Sequence, residues 1–487
     1  MLTQNVGQKI NLKPYLALAA AGIAVAGIFL FIGSISPKGA AVLVAGVGGG
    51  FVLSLAAGYW EKIVLFLAVF FTSLNIKIHF FTFNEHLGGA NGLRISAVFC
   101  LLVILYAKLL YDTNWRISIN WWITAPFMLY LAVALLSSAM AINTLLGVFQ
   151  ALQLLQAYLI FLYLSNRLRS EEDFYLVLYA ISCGIALQGG ITVAQKYLSL
   201  KLNYRMLGGA DEAMVDMVAG EDIKRYSGLF KHPGYLGNYF TMYLPLTLGG
   251  ILISKRLWIR LALAASVGLG LAALALTFSR AAMIGMGIAL TLITIMMVYT
   301  RAVRWATTAR FILFELSLAV GVLLWKGQDI YLRFTQSESA PVIVRFELAD
   351  IATAMFDDFP WLGVGLNNFT NLVQDYERLT RYVAEFRHPV HNIYLLEFAE
   401  TGFIGGVLFV FFLLGIFITA YKSLGHTSPL KKYLAIATTC SIFGFLVISI
   451  SDWSYRLPEM NTVFFTDLGL LGALYFTSTP AGIDRPI

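Results

Sequence analysis

Charge is scarce in this chain. Of its 487 residues, 13% are Asp, Glu, Lys or Arg, against about 25% in an ordinary soluble domain. Hydrophobic residues make up 59%, and the mean hydropathy is +0.76. That balance excludes a disordered chain, a fibrous repeat and an ordinary soluble enzyme. Cysteine is scarce too. Cys100, Cys183 and Cys440 each sit in an apolar run. They show neither metal nor CxxC spacing, so there is no disulfide framework and no statement about redox compartment. No GxxxxGK[ST] and no dinucleotide fingerprint after a strand occurs, so a reaction driven by ATP or a sugar nucleotide is not expected. No cluster of carboxylates suits Mg²⁺. Asp357 and Asp358 come nearest, but adjacent helical residues do not share a face.

What is abundant is the long apolar run. A membrane-spanning helix needs about 20 apolar residues, and lipid permits no other open-chain solution. Candidate spans are 15–35, 39–59, 62–75, 94–111, 121–142, 145–165, 174–196, 234–254, 260–278, 281–299, 311–326, 392–421, 433–451 and 463–478. The third is short and reads equally as re-entrant. The first is too long for a signal-peptide core and is expected to be kept. With the N-terminus inside, seventeen Lys and Arg fall on inner loops and five on short outer ones. The rest of the 34 lie in two long outer segments, which the positive-inside rule exempts. The chain thus divides into spans over 1–196, an outer loop over 197–233, spans over 234–326, a longer outer loop over 327–391 and spans over 392–487. Gly46 and Gly50 form a GxxxG, read as helix packing. Gln150, Gln153 and Gln156 recur every three residues, read as hydrogen bonding between helices.

Four polar segments fall on the outer side. Arg225 to Tyr239 gathers Arg225, Lys231 and His232 before a helix that Pro233 would open. It is either an anion site at a helix start or a solvated basic loop. Thr277-Phe278-Ser279-Arg280 separates two apolar runs. Ser279 suits an N-cap. Arg280, outside and at membrane depth, faces either a partner or the interface by snorkelling. In 341–356, Val344, Leu348, Ile351, Ala352 and Met355 keep a helical period, which predicts an amphipathic surface helix with Arg345 near its start. In Arg387-His388-Pro389-Val390-His391-Asn392-Ile393-Tyr394, two of only six histidines meet the start of a span. His391 is expected in the first helical turn, where the helix dipole disfavours imidazolium. A neutral imidazole is what a general base requires.

Guanidinium forks bind phosphate oxygens, and several of them can hold a diphosphate leaving group without a metal. Beside a neutral histidine they suit glycosyl transfer from a lipid diphosphate, since no nucleotide is present outside the cytoplasm.

Arg225 through Pro233, Ser279-Arg280, Arg345 followed by Phe359-Pro360-Trp361-Leu362-Gly363-Val364-Gly365, and His391-Asn392 followed by Glu400-Thr401-Gly402 together resemble the bacterial O-antigen ligase and polymerase superfamily. The resemblance spans 225 to about 410; earlier residues match only as generic apolar spans. It implies an all-α polytopic membrane protein of the inner membrane. Its fold would be a GT-C-like bundle of about 12–14 transmembrane helices, with a long periplasmic loop carrying amphipathic helices and both termini cytoplasmic. His391, Arg280 and Arg345 would be catalytic. Arg225, Lys231, His232, His388, Asn392 and Tyr394 would bind substrate. No metal and no cofactor is implied. The implied donor is an undecaprenyl-diphosphate-linked glycan. The acceptor would be a glycan, a lipid A core or another hydroxyl. Membrane lipids and other polysaccharide-assembly proteins are the expected partners, and nucleic acid is not. The family usually has twelve spans. A count of fourteen therefore points to an over-count near 62–75 or to a polymerase-like member, and polymerase is the preferred reading. Ligase, protein O-oligosaccharyltransferase and lipid-linked glycan flippase are the alternatives.

Overall fold

With no water to satisfy peptide groups in a bilayer, an apolar chain closes its hydrogen bonds within helices. The computed structural model does so almost throughout. It describes residues 60–83, 86–198, 214–218, 221–254, 256–302, 305–335, 340–377 and 387–478. The expected spans 15–35 and 39–59, with Gly46 and Gly50, lie outside these. The described helices are α1 (Trp60–Phe70), α2 (Ala97–Asp112), α3 (Trp121–Ala139), α4 (Thr144–Arg167), α5 (Glu171–Tyr197), α6 (Pro233–Ile253), α7 (Leu257–Thr277), α8 (Arg280–Thr300), α9 (Trp305–Thr335), α10 (Ala340–Asp358), α11 (Phe369–Tyr376), α12 (Ile393–Ser423), α13 (Pro429–Ile448) and α14 (Pro458–Ser478). Two antiparallel hairpins add β1 (Lys77–Phe80) with β2 (Leu93–Ser96), and β3 (Met214–Val218) with β4 (Glu221–Arg225). Eight of the described helices are long and apolar enough to cross a membrane, namely α3, α4, α5, α7, α8, α9, α12 and α13. The protein is an all-α, multi-pass membrane protein.

Helices that cross in alternation bring their ends together in two sets. At one end Lys62 pairs with Glu172 at 3.3 Å, and Arg167 pairs with Glu61. Lys431 donates to the Arg169 carbonyl and Lys432 to the Thr300 carbonyl at that same end. The opposite end carries both hairpins and the starts of α6, α8 and α12. The short run 62–75 joins the two. Its Lys62 reaches the first turn of α5, while Ser73, in the 3-10 turn Phe71–Ser73, accepts from Gln188. Those α5 positions lie about 24 Å apart at 1.5 Å per residue. The segment therefore passes from one end to the other rather than turning back.

Some boundaries differ from expectation. The run 94–111 begins as strand β2, and the helix starts only at Ala97, where Ser96 caps it. The first outer loop, 197–233, contains the hairpin β3–β4. The expected amphipathic helix is α10. Leu348, Ile351, Ala352 and Met355 are buried, and Phe356 packs edge-on against Phe398 of α12. Gln150, Gln153 and Gln156 do bond between elements. Gln150 and Gln153 donate to the Arg456 carbonyl, and Gln156 donates to the Arg94 carbonyl.

α12 is broken at Gly402, whose φ is +65°. A left-handed residue there frees backbone groups that the helix would otherwise pair. The segment after α10 supplies partners. Phe403 N donates to the Pro360 carbonyl at 2.7 Å, and Val364 and Gly365 N donate to the Ala399 and Glu400 carbonyls at 3.0 and 2.9 Å. A Cβ on Gly402 would stand 2.3 Å from the Trp361 backbone, and one on Gly363 2.4 Å from that of Glu400. The two glycines let the strap and the break close on each other.

Candidate functional site

The site is assembled from helix starts. Pro233 opens α6 with His232 in extended geometry as its N-cap (φ −139°, ψ 140°). The His232 Nδ1 accepts from Gly234 N at 3.0 Å, which places any proton of the neutral ring on Nε2. Ser279 caps α8 by accepting from Ala282 N, and Arg280 is the first helical residue. A cation at the positive end of a helix dipole is unfavourable unless an anion joins it. Arg225 ends β4 and is 8% exposed. Its Nε donates to the Thr277 carbonyl at 2.9 Å, and the next residue, Tyr226, donates to that of Leu276. The structure therefore anchors Arg225 three residues before Arg280. Lys231, exposed, lies on the same α6 start.

A second group forms at α12. Arg345 is exposed on the first turns of α10 and stands near enough to His391 to act on its protonation. Burial first, then the Arg345 cation, then His388, lower the His391 pKa to about 4. Burial also lowers that of His388. His391 is thus neutral at pH 7, and its Nδ1 is buried without a hydrogen-bond partner. The position differs from expectation. Asn392, not a residue before His391, is the N-cap and accepts from Leu395 N at 3.1 Å, so helix α12 starts at Ile393. His391 lies just before the cap, two residues ahead of Ile393, and burial and then neighbouring charge lower its pKa. Asn392 and Tyr394 have structural partners, since the Tyr394 hydroxyl donates to the Leu446 carbonyl at 2.9 Å.

α6 and the loop before α14 bridge the two groups. A Cβ on Gly237 would lie 2.6 Å from Ala282, so α6 and α8 touch closely there. The next residue, Asn238, donates to Asp452 at 2.7 Å and to Ser454 at 2.9 Å. From the same loop, the Ser449 carbonyl accepts from Ile393 N at 3.0 Å.

One charged cluster has no counterpart in the sequence reading. Arg456, 2% exposed, pairs with Glu397 at 2.8 Å and Glu400 at 2.9 Å. Tyr130 donates to Glu397 at 2.7 Å, while Asn367 N and Phe369 N donate to Glu400 at 2.7 and 3.1 Å. Burial opposes the Arg456 charge, and the two carboxylates outweigh it. The triad locks the loop before α14 and the start of α11 onto the first turns of α12. A signal was available. Glu397 and Glu400 are spaced i, i+3 inside an apolar run, and paired carboxylates at membrane depth demand a cation. Among the described residues, no three His, Cys, Asp or Glu gather as a metal would need.

No curated protein matches the chain. A family model described as O-Antigen ligase matches residues 261–410. That stretch runs from α7 to just past the Gly402 break and takes in Arg280, Arg345, the strap and His391, whereas Arg225, Lys231 and His232 precede it. Over this segment the chain is similar to the O-antigen ligase family.

Proposed function

We propose that the protein is a glycosyltransferase that moves glycan from an undecaprenyl-diphosphate donor to a hydroxyl acceptor at the periplasmic face. Within that class, a polysaccharide polymerase is the preferred reading. The observation that carries it is His391, a half-buried neutral imidazole whose buried Nδ1 has no hydrogen-bond partner, with the Arg345 cation acting on it. The donor diphosphate lies between Arg345 and the Arg225–Arg280 group, with Lys231 and His232 on its flank. The acceptor oxygen attacks the anomeric carbon as His391 takes its proton. The bond from that carbon to the diphosphate oxygen breaks, and the electron pair stays on the phosphate. The arginines stabilise the charge that grows there. The lipid diphosphate departs, and His391 returns its proton to water. Both termini are cytoplasmic in this reading, because the end bearing Lys62, Arg167, Arg169, Lys431 and Lys432 is the basic one.

Purified protein, given undecaprenyl-diphosphate glycan as donor and acceptor, makes longer glycan on a gel. His391→Ala abolishes product while the protein stays folded. Arg280→Ala and Arg345→Ala each lower the rate about 10²-fold or more, as loss of an oxyanion donor does. Lipid-linked glycan crossing the bilayer with no new glycosidic bond, and His391→Ala without effect, would show a flippase instead. Transfer to lipid A core or to Ser and Thr, with no chain growth, would assign a ligase or a protein oligosaccharyltransferase.

A further inference from the structure

Residues 86–92, which lead into β2, dock on the strap beside the site. Their anchor is Asn367. Its φ is +60°, a left-handed conformation that asparagine tolerates better than most side chains do. It is 4% exposed, and every polar group of its side chain is engaged. Oδ1 accepts from Gly89 N at 2.8 Å and from His86 Nε2 at 3.0 Å. Nδ2 donates to the Ala90 carbonyl at 2.7 Å and to the Leu146 carbonyl, in the first turn of α4, at 3.2 Å. Those two carbonyls identify the amide nitrogen, so the proton of the neutral His86 ring sits on Nε2. The His86 Nδ1 then accepts from the Thr370 hydroxyl at 3.2 Å. Ala90 N donates to Gln150 Oε1 at 2.8 Å, and a Cβ on Gly89 would stand 2.2 Å from that oxygen.

The backbone of Asn367 turns the other way. Its N donates to Glu400 of α12 at 2.7 Å, the carboxylate that Arg456 also holds. Asn367 and Thr370 line a narrow gap together with Gly88, Pro389 and Leu396. Pro389 lies two residues before His391. The segment that carries His391 therefore faces Asn367, and the residues Asn367 fastens, across that gap. Left-handed backbone at a residue other than glycine persists where the surroundings over-determine it, and here five hydrogen bonds do so.

We infer that Asn367 is a positioning residue for His391. It couples residues 86–90 and α4 to the start of α12, and so holds the Pro389–His391 segment where the imidazole meets the acceptor hydroxyl. The inference rests on the glycosyl-transfer reading and extends it. It makes an N-terminal stretch outside the matched residues 261–410 part of the catalytic apparatus. Asn367 touches no substrate in this assignment, and the arginines keep the diphosphate. Its loss should therefore fall on kcat and leave the donor KM alone.

The test uses the full-length protein in bilayer nanodiscs. Asn367→Gly keeps the left-handed backbone and the N–H to Glu400 while removing the four side-chain hydrogen bonds. It should lower kcat about 10²-fold, as displacing a reacting group by roughly 1 Å does, with donor KM unchanged. His86→Ala, which removes one of those bonds, should fall between this variant and the unaltered protein. The double variant should match Asn367→Gly, because both act through one link. A second readout needs no turnover. Diethyl pyrocarbonate acylates accessible imidazoles, and mass spectrometry gives the rate at His391 against that at exposed His388. That rate should rise several-fold in Asn367→Gly. Unchanged kcat with unchanged acylation would overturn the inference, as would a rise in donor KM at unchanged kcat. If Asn367→Gly does not fold, His86→Ala carries both readouts, and no change in either overturns it equally. Faster acylation in a protein that makes no glycosidic bond would sink the glycosyl-transfer reading and leave the coupling of Asn367 to His391 standing.

Discussion

At the scale of single residues, the protonation of His391 decides whether the site can act as a base. Its pKa is lowered by burial and then by the Arg345 cation. Because kcat/KM reports the free enzyme, that parameter should stay level from pH 7 down through pH 6 and fall only as pH approaches 4. Removing Arg345 takes away a charge that disfavours imidazolium. In Arg345→Ala the acid limb should therefore move to higher pH, apart from the loss of rate. A profile of kcat/KM against pH for both proteins checks the sign. An acid limb that does not move would show that the two side chains are uncoupled in the working enzyme. Arg225 supplies a different lesson. It is 8% exposed, and its Nε is committed to the Thr277 carbonyl. Replacing it should disturb the turn that presents Arg280 as well as any phosphate contact.

At the scale of elements, the break in α12 and the strap across it form one unit. Gly402 has a left-handed φ, and a Cβ there would meet the Trp361 backbone at 2.3 Å. Gly402→Ala should cost about 1–3 kcal/mol from strained backbone alone, with the clash in addition. A clear fall in thermal midpoint of the detergent-solubilised protein would report it. The Arg456 triad is the second device. Leaving a buried carboxylate pair without its cation typically costs about 3–5 kcal/mol. Arg456→Ala should therefore unfold more readily than any single substitution among the exposed cations, and the same thermal measurement ranks them. Both devices hold the α12 start against its neighbours, so His391 is presented by rigid elements rather than by a free loop. α10 adds to this by burying Leu348, Ile351, Ala352 and Met355, which fixes the position of Arg345.

At the scale of the whole molecule, the two ends of the bundle differ in charge and in architecture. The end with Lys62, Arg167, Arg169, Lys431 and Lys432 has short turns, while the other carries both hairpins, α10 and the candidate site. If the basic end is cytoplasmic, Arg116→Cys, in the exposed turn before α3, should react with a membrane-impermeant thiol reagent only after permeabilisation. His388→Cys, exposed at the other end, should react in intact cells once the outer membrane is opened. The reverse pattern would invert the assigned topology and place the donor on the wrong side for a lipid carrier.

The amino-acid sequence by itself determined the class of molecule, since an apolar surplus in lipid permits little besides helices and leaves their ends at two faces. It also determined the helix starts at Pro233 and after Ser279, where local capping chemistry suffices. The amphipathic face of α10 was legible for the same reason, periodicity being a property of a short window. Only the tertiary structure decided what those starts bring together. The Arg225 tie to Thr277, the nearness of Arg345 to His391, the Arg456–Glu397–Glu400 lock and the bonds from Asn367 to residues 86–90 all join residues far apart along the chain. No local pattern encodes them, because the energy of a buried charge depends on which partner the packing of distant helices delivers to it.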